Sequence, residues 1–135
     1  GGEQDCDLTL WRYMTENRVV DVVQPDVCYV GGVCRMLEVA RMAAAAGLPV
    51  TPHSANQSLV TCFTLHIMGA IPNAGPYVEF SIEGPDYYPW EVGLLRNPLV
   101  ARDGMVDIPA EPGWGLEIEP AWLDKADYQV SEVAS

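Results

Sequence analysis

Apolar and polar positions change rhythm several times along this chain, and each change marks an element. Val19, Val20, Val22 and Val23 form a short apolar run closed by Pro25, the pattern of a strand buried on both faces. Gly31-Gly32 supplies a turn, after which Val33, Leu37, Ala40 and Ala44 recur at helical spacing. Gly47 stands where a helix C-terminal cap belongs, and Pro49 prevents the helix from resuming. Leu48-Pro49-Val50-Thr51 reads as the next strand, with His53 just beyond it.

The same rhythm extends to both sides of this strand-helix-strand unit. Gly1-Gly2-Glu3 reads as the end of a strand, and Asp7 can cap a helix of roughly Leu8 to Asn17 with Leu8, Trp11 and Met14 on one face. Ser58 is an N-cap for a helix from Leu59 to Ala70, 72–76 is a loop, and Tyr77-Val78-Glu79-Phe80 reads as one more strand. Alternating strands and helices imply a parallel sheet with right-handed crossovers. Glu3, Asp26, His53 and Glu79 then all fall at C-terminal strand ends, on the rim where α/β folds carry their chemistry.

After Phe80 the texture changes. Prolines at 85, 89, 98, 109, 112 and 120 punctuate the chain, and Asp103-Gly104 is a hairpin turn between 99–101 and 105–108. Pro120 to Asp124 can begin a short last helix. The expected division is residues 1–80, carrying the strand-helix units, and 81–135, an irregular tail packing across them or onto a region not present in this sequence.

Composition narrows the possible partners. With 135 residues, 49% of them hydrophobic, the chain can build a core, and its net charge of -12 argues against nucleic acid and anionic membranes. The Leu59–Ile71 stretch is too short to span a bilayer, which takes about 20 residues. Cys6, Cys28, Cys34 and Cys62 show no C-x-x-C pairing and sit within apolar patterns, so reduced, buried thiols in a cytoplasmic protein are expected. His66 reads as a helix-face residue without a chemical role, and Trp90 and Trp114 as packing anchors.

Gly2-Glu3, Gln24-Pro25-Asp26 leading to Gly31-Gly32-Val33, Pro49 to His53, and Tyr77-Val78-Glu79 together resemble the C-terminal half of the barrel in enolase-superfamily enzymes of the mandelate racemase and muconate lactonizing type. The tail from Asp103-Gly104 to Pro112-Gly113-Trp114-Gly115 resembles the closing segment of that family. The resemblance implies an α/β fold, the C-terminal half of a TIM-like (β/α)-barrel with about four parallel strands, numbered five to eight. It implies that Glu3 is a carboxylate ligand of Mg²⁺, that Asp26 and His53 form a dyad, and that Glu79 hydrogen-bonds the substrate carboxylate. Glu83 is the competing carboxylate in that last segment.

Such groups belong together chemically. A proton α to a carboxylate is far less acidic than any side chain, so a base needs help from a cation and a hydrogen-bonding group that share the developing charge. Imidazole is the side chain suited to general-base work near neutrality, and an aspartate accepting its other ring N–H fixes the tautomer. Dehydration of a sugar acid or hydroxy-acid is the expected reaction, with racemisation or epimerisation as the alternative. A non-catalytic half-barrel is the alternative of another class. Because a full barrel takes about 250 residues, the chain is expected to be a fragment of a longer enzyme and inactive by itself, and the resemblance implies that the full-length enzyme is a homo-oligomer.

Overall fold

The computed structural model describes residues 1–54 and 57–131. Three helices dominate: α1 (Leu8–Glu16), α2 (Val33–Ala45) and α3 (Leu59–Ala70), followed by a short α4 (Pro120–Leu123) and a 3₁₀ turn at Pro89–Glu91. Side-chain caps mark the starts of α1 and α3. The Asp7 side chain accepts the Thr9 N–H at 2.8 Å, and Ser58 and Thr61 form a reciprocal capping box at the head of α3. Helix α3 occupies the predicted span, and α1 ends one residue short of it.

Between the helices the chain is extended, yet no continuous strand forms among the described residues. Parallel bridges join Val23 to Val50 and Val50 to Ala74. Around them, Val23 N–H donates to Pro49 O, Thr51 N–H to Val23 O and His53 N–H to Pro25 O, each at 3.0 Å. Val50 N–H donates to Asn73 O at 2.8 Å, and Gly75 N–H to Val50 O at 2.7 Å. Pro25 has no N–H to donate, so the first ladder lacks one bond before His53 N–H reaches Pro25 O, and the second ends where Pro52 occupies the position whose N–H would come next. On the far side, Gln24 N–H donates to Gly1 O at 3.1 Å.

Two readings need correction. The bridge to the last extended segment lies at Ala74, inside the expected 72–76 loop, while 77–80 makes none. Asn73 explains the early pairing, because its amide donates to Ala40 O and Leu48 O and fastens the loop against α2. The valine run is not buried on both faces either. Val23 is fully buried, whereas Val19 and Val22 are exposed on the side that the described residues leave uncovered.

One core runs through α1, α2 and the extended segments, centred on Trp11, Val23, Met36, Val39, Leu48 and Val50. Trp11 also sets the position of the N-terminal segment. Gly2 has φ of +98°, and a Cβ there would lie 2.3 Å from the indole ring, so glycine is required on both counts. A second cluster of Cys62, Leu65 and Leu99, with Val78, Phe80, Val106 and Leu116, joins the tail to α3. Trp114 packs on Phe63 at 4.6 Å between ring centroids, and its carbonyl lies 3.0 Å from His66 Nε2. The expected hairpin turns at Asp103-Gly104, with φ of +51° and +75°, and is closed by the Arg102–Met105 bridge. An antiparallel bridge between Leu95 and Ile118, reinforced by the Arg96–Glu119 ion pair at 2.8 Å, has no counterpart in the sequence expectations.

All four cysteines are free. Only Cys62 is buried, which pushes its thiol pKa up by desolvation, while Cys6, Cys28 and Cys34 are exposed, contrary to expectation. No helix among the described residues is long and apolar enough to cross a membrane.

Candidate active site

Asp26, His53 and Glu79 converge beyond the ends of the bridged segments. Asp26 follows Pro25 and is buried, and its two oxygens do different work. Oδ1 accepts the backbone N–H groups of Cys28 at 2.7 Å and Tyr29 at 3.2 Å, holding the turn that leads to Gly31-Gly32. Oδ2 lies 2.9 Å from His53 Nδ1. The turn and the contact with His53 coexist on one carboxylate.

His53 is held from two sides. Its backbone N–H belongs to the ladder with Pro25, and its ring lies against Asp26. Its side chain is 23% exposed, so the imidazole is supported yet accessible. Nε2, the nitrogen away from Asp26, lies 4.0 Å from Glu79 Oε2. That carboxylate oxygen also accepts the Ser54 N–H at 2.8 Å, and Oε1 is 3.5 Å from Gln24 Nε2. Glu83 stands apart from the group, since its carboxylate is exposed and accepts bonds from the Ser81 hydroxyl and the Ile82 N–H. Those bonds lower its pKa, the Ser81 hydroxyl most.

Sequence reading missed two contributors. Gln24 stands two residues before Asp26, so the alternation of an extended segment puts both on one face, and that spacing could have found it. Ser54 acts through its backbone N–H, for which no side-chain pattern exists.

Glu3 is not joined to this group. Its half-buried carboxylate has no hydrogen-bond or ion-pair partner among the described residues. A free carboxylate is the donor type that a hard divalent cation takes. The donor set is nevertheless short, because no three His, Cys, Asp or Glu side chains among the described residues could hold a metal together.

Residues 1–122 match the family described as enolase C-terminal domain-like. The chain belongs to that family. Among curated relatives it is 29% identical over 123 residues to D-gluconate dehydratase of Thermoproteus tenax, covering 90% of this chain and 24% of the relative. A crystal structure of a putative racemase from Roseobacter denitrificans is 58% identical with a TM-score of 0.89, covering 98% of this chain and 37% of that one. A crystal structure of a putative L-alanine-DL-glutamate epimerase from Burkholderia xenovorans, bound to magnesium and fumarate, is 25% identical with a TM-score of 0.73. It covers 84% of this chain and 27% of that one. Relatives of this enolase-family chain thus include proteins named as sugar-acid dehydratases, a putative racemase and a putative epimerase. It spans between 24% and 30% of the length of the first curated relatives.

Proposed function

We propose that this chain contributes the acid–base half of the active site of a Mg²⁺-dependent sugar-acid dehydratase, on a barrel whose strands five to eight run through Glu3, Asp26, His53 and Glu79. The observation that carries the reading is the 2.9 Å contact between His53 Nδ1 and Asp26 Oδ2, which leaves Nε2 as the ring nitrogen turned from Asp26 on a partly exposed side chain. In that arrangement the Nδ1–H donates to Asp26, and the lone pair of Nε2 takes the proton α to the substrate carboxylate. The C–H electron pair moves into the carboxylate, and Asp26 supports the imidazolium that results. The imidazolium then returns its proton to the β-hydroxyl as the electrons flow back, expelling water and leaving an enol that tautomerises to the keto acid. Glu79, with Oε2 4.0 Å from His53 Nε2, would face the substrate carboxylate, as the family resemblance implies.

Glu3 would be one oxygen ligand of the cation, with the remaining donors outside this chain. Mg²⁺, when bound, supplies electrostatic stabilisation of the charge that develops on the substrate carboxylate.

A racemase or epimerase is the second reading, favoured by the 58% identity to the Roseobacter protein. It needs a second base on the opposite face of the substrate. One experiment separates the two. A chimera carries this chain in place of the matching segment of the Roseobacter protein, and is incubated with Mg²⁺ and a sugar-acid panel headed by D-gluconate in deuterated water. Deuterium at the α-carbon with loss of water and a keto-acid product supports dehydration, whereas an epimer containing deuterium supports racemisation. Absence of α-exchange across the panel, from a folded chimera and with the parent protein exchanging, would overturn both.

A further inference from the structure

The residue after His53 is tied down more firmly than a loop residue need be. Ser54 is 3% exposed, and its hydroxyl lies 3.1 Å from the hydroxyl of Thr61, which is fully buried in the first turn of α3. Thr61 Oγ1 also receives the Ser58 N–H at 3.4 Å as part of the capping box. The Ser54 N–H points the other way, to Glu79 Oε2 at 2.8 Å. One residue therefore bonds the head of α3 through its side chain and the candidate active-site carboxylate through its backbone.

We infer that the buried Ser54–Thr61 hydroxyl pair is a positioning clamp, through which α3 holds the Glu79 carboxylate beside His53. The inference rests on the reading of Glu79 and His53 as site residues, but its geometry stands independently. On its N-terminal side His53 is fixed by the Pro25 carbonyl, and on its C-terminal side the chain is fixed by this pair. Without the hydroxyl pair the 53–54 peptide is free to rotate, and its N–H no longer addresses Glu79. A hydroxyl pair suits this position, since each buried group satisfies the other and neither adds charge. Ser54 and Thr61 are positioning residues that act through a backbone N–H and would not touch substrate.

Amide hydrogen exchange on the full chain tests the clamp without any substrate. Thr61→Val keeps the shape of Thr61 and removes its hydroxyl, Thr61→Ser keeps the hydroxyl, Ser54→Ala removes the other partner, and Glu79→Ala removes the acceptor. Protection of the residue-54 amide should fall by roughly ten-fold or more in Thr61→Val, Ser54→Ala and Glu79→Ala. It should stay near the parent value in Thr61→Ser, while the amides of Leu65 and Ile67 inside α3 are unchanged in all four. Unchanged protection at residue 54 in both Thr61→Val and Ser54→Ala would overturn the clamp. So would a fall matched by the α3 interior, since that would mark general loosening. Turnover by the chimera supplies the second arm: Thr61→Val should lower it in the parent background and add nothing in the Glu79→Ala background. Independent losses there, with the exchange result intact, would overturn the catalytic reading of Glu79 and leave the clamp standing.

Discussion

At the scale of single residues, Asp26 is the most informative side chain, because its two oxygens predict different consequences for different substitutions. In Asp26→Asn the carbonyl oxygen can still accept the N–H groups of Cys28 and Tyr29, while the amide NH₂ faces His53 Nδ1. The imidazole must then carry its proton on Nε2, where it cannot act as a base. The expected outcome is a chimera with near-parent stability and turnover lower by roughly 10² or more. Asp26→Ala should lose as much turnover and also about 1 kcal/mol of stability, because it removes the turn acceptor as well. Urea titration read beside turnover separates these effects, and equal stability of the two variants would show that the turn does not depend on Oδ1. His53→Asn should keep the fold and lower α-proton exchange by roughly 10² to 10⁴. Combining it with Asp26→Asn should cost little more than either alone, since a base and its orienter act as a unit. This much of the site was legible in sequence, because Asp26 and His53 stand at the ends of segments that any β-α-β reading makes neighbours. Glu79 was assignable only against the competing Glu83, and the choice depends on a backbone contact from Ser54.

At the scale of elements, the helices and the parallel order of the segments were legible and the extent of the sheet was not, for one physical reason. Helix ends are written locally in caps such as Asp7 and Ser58, whereas a ladder depends on which partner N–H groups exist across space. Pro25 and Pro52 each remove one such donor, so pairing between strong strand formers shrinks to single bridges. The pairing of Leu95 with Ile118 was invisible in the same way, because neither segment carries an alternating pattern long enough to announce it. Helix α3 gives the element-scale prediction. Ser58 accepts the Val60 N–H at 3.2 Å and anchors the turn that contains Thr61. Ser58→Ala should therefore cost about 1 kcal/mol in a denaturant titration, while Ser58→Asp, which can still cap, should cost less. Equal losses would mean that packing of Cys62 and Leu65 against the tail, and not the cap, sets where α3 begins.

At the scale of the whole molecule, charge and exposed apolar surface pull in opposite directions. The Arg96–Glu119 pair ties 94–97 to 117–119, and it holds Glu119 below the ordinary carboxylate range through a hydrogen bond and charge. A carboxylate with a depressed folded pKa contributes stability above its ordinary pKa, and that contribution fades as pH falls through the folded value. Acid should thus loosen this part of the tail through Glu119, read as a change in Trp122 fluorescence, and Arg96→Gln should abolish that step. The larger effect comes from uncovered surface. Val19, Tyr77 and Ile82 are 57%, 78% and 89% exposed, and the bridged segments around Val23, Val50 and Ala74 are short and lack flanking strands among the described residues. Open backbone edges beside exposed apolar side chains are templates for pairing with a second chain. A net charge of -12 opposes that association at low salt, and screening removes the opposition as the Debye length falls to about 8 Å near physiological ionic strength. The isolated chain should therefore self-associate in sedimentation experiments, and more so as salt is raised. Inside the chimera, where the remainder of the barrel covers the same surface, the salt-dependent component should disappear. A monomer at all salt concentrations that unfolds in one cooperative, concentration-independent transition would show that these edges are self-sufficient and that the half-barrel reading of the fold is wrong.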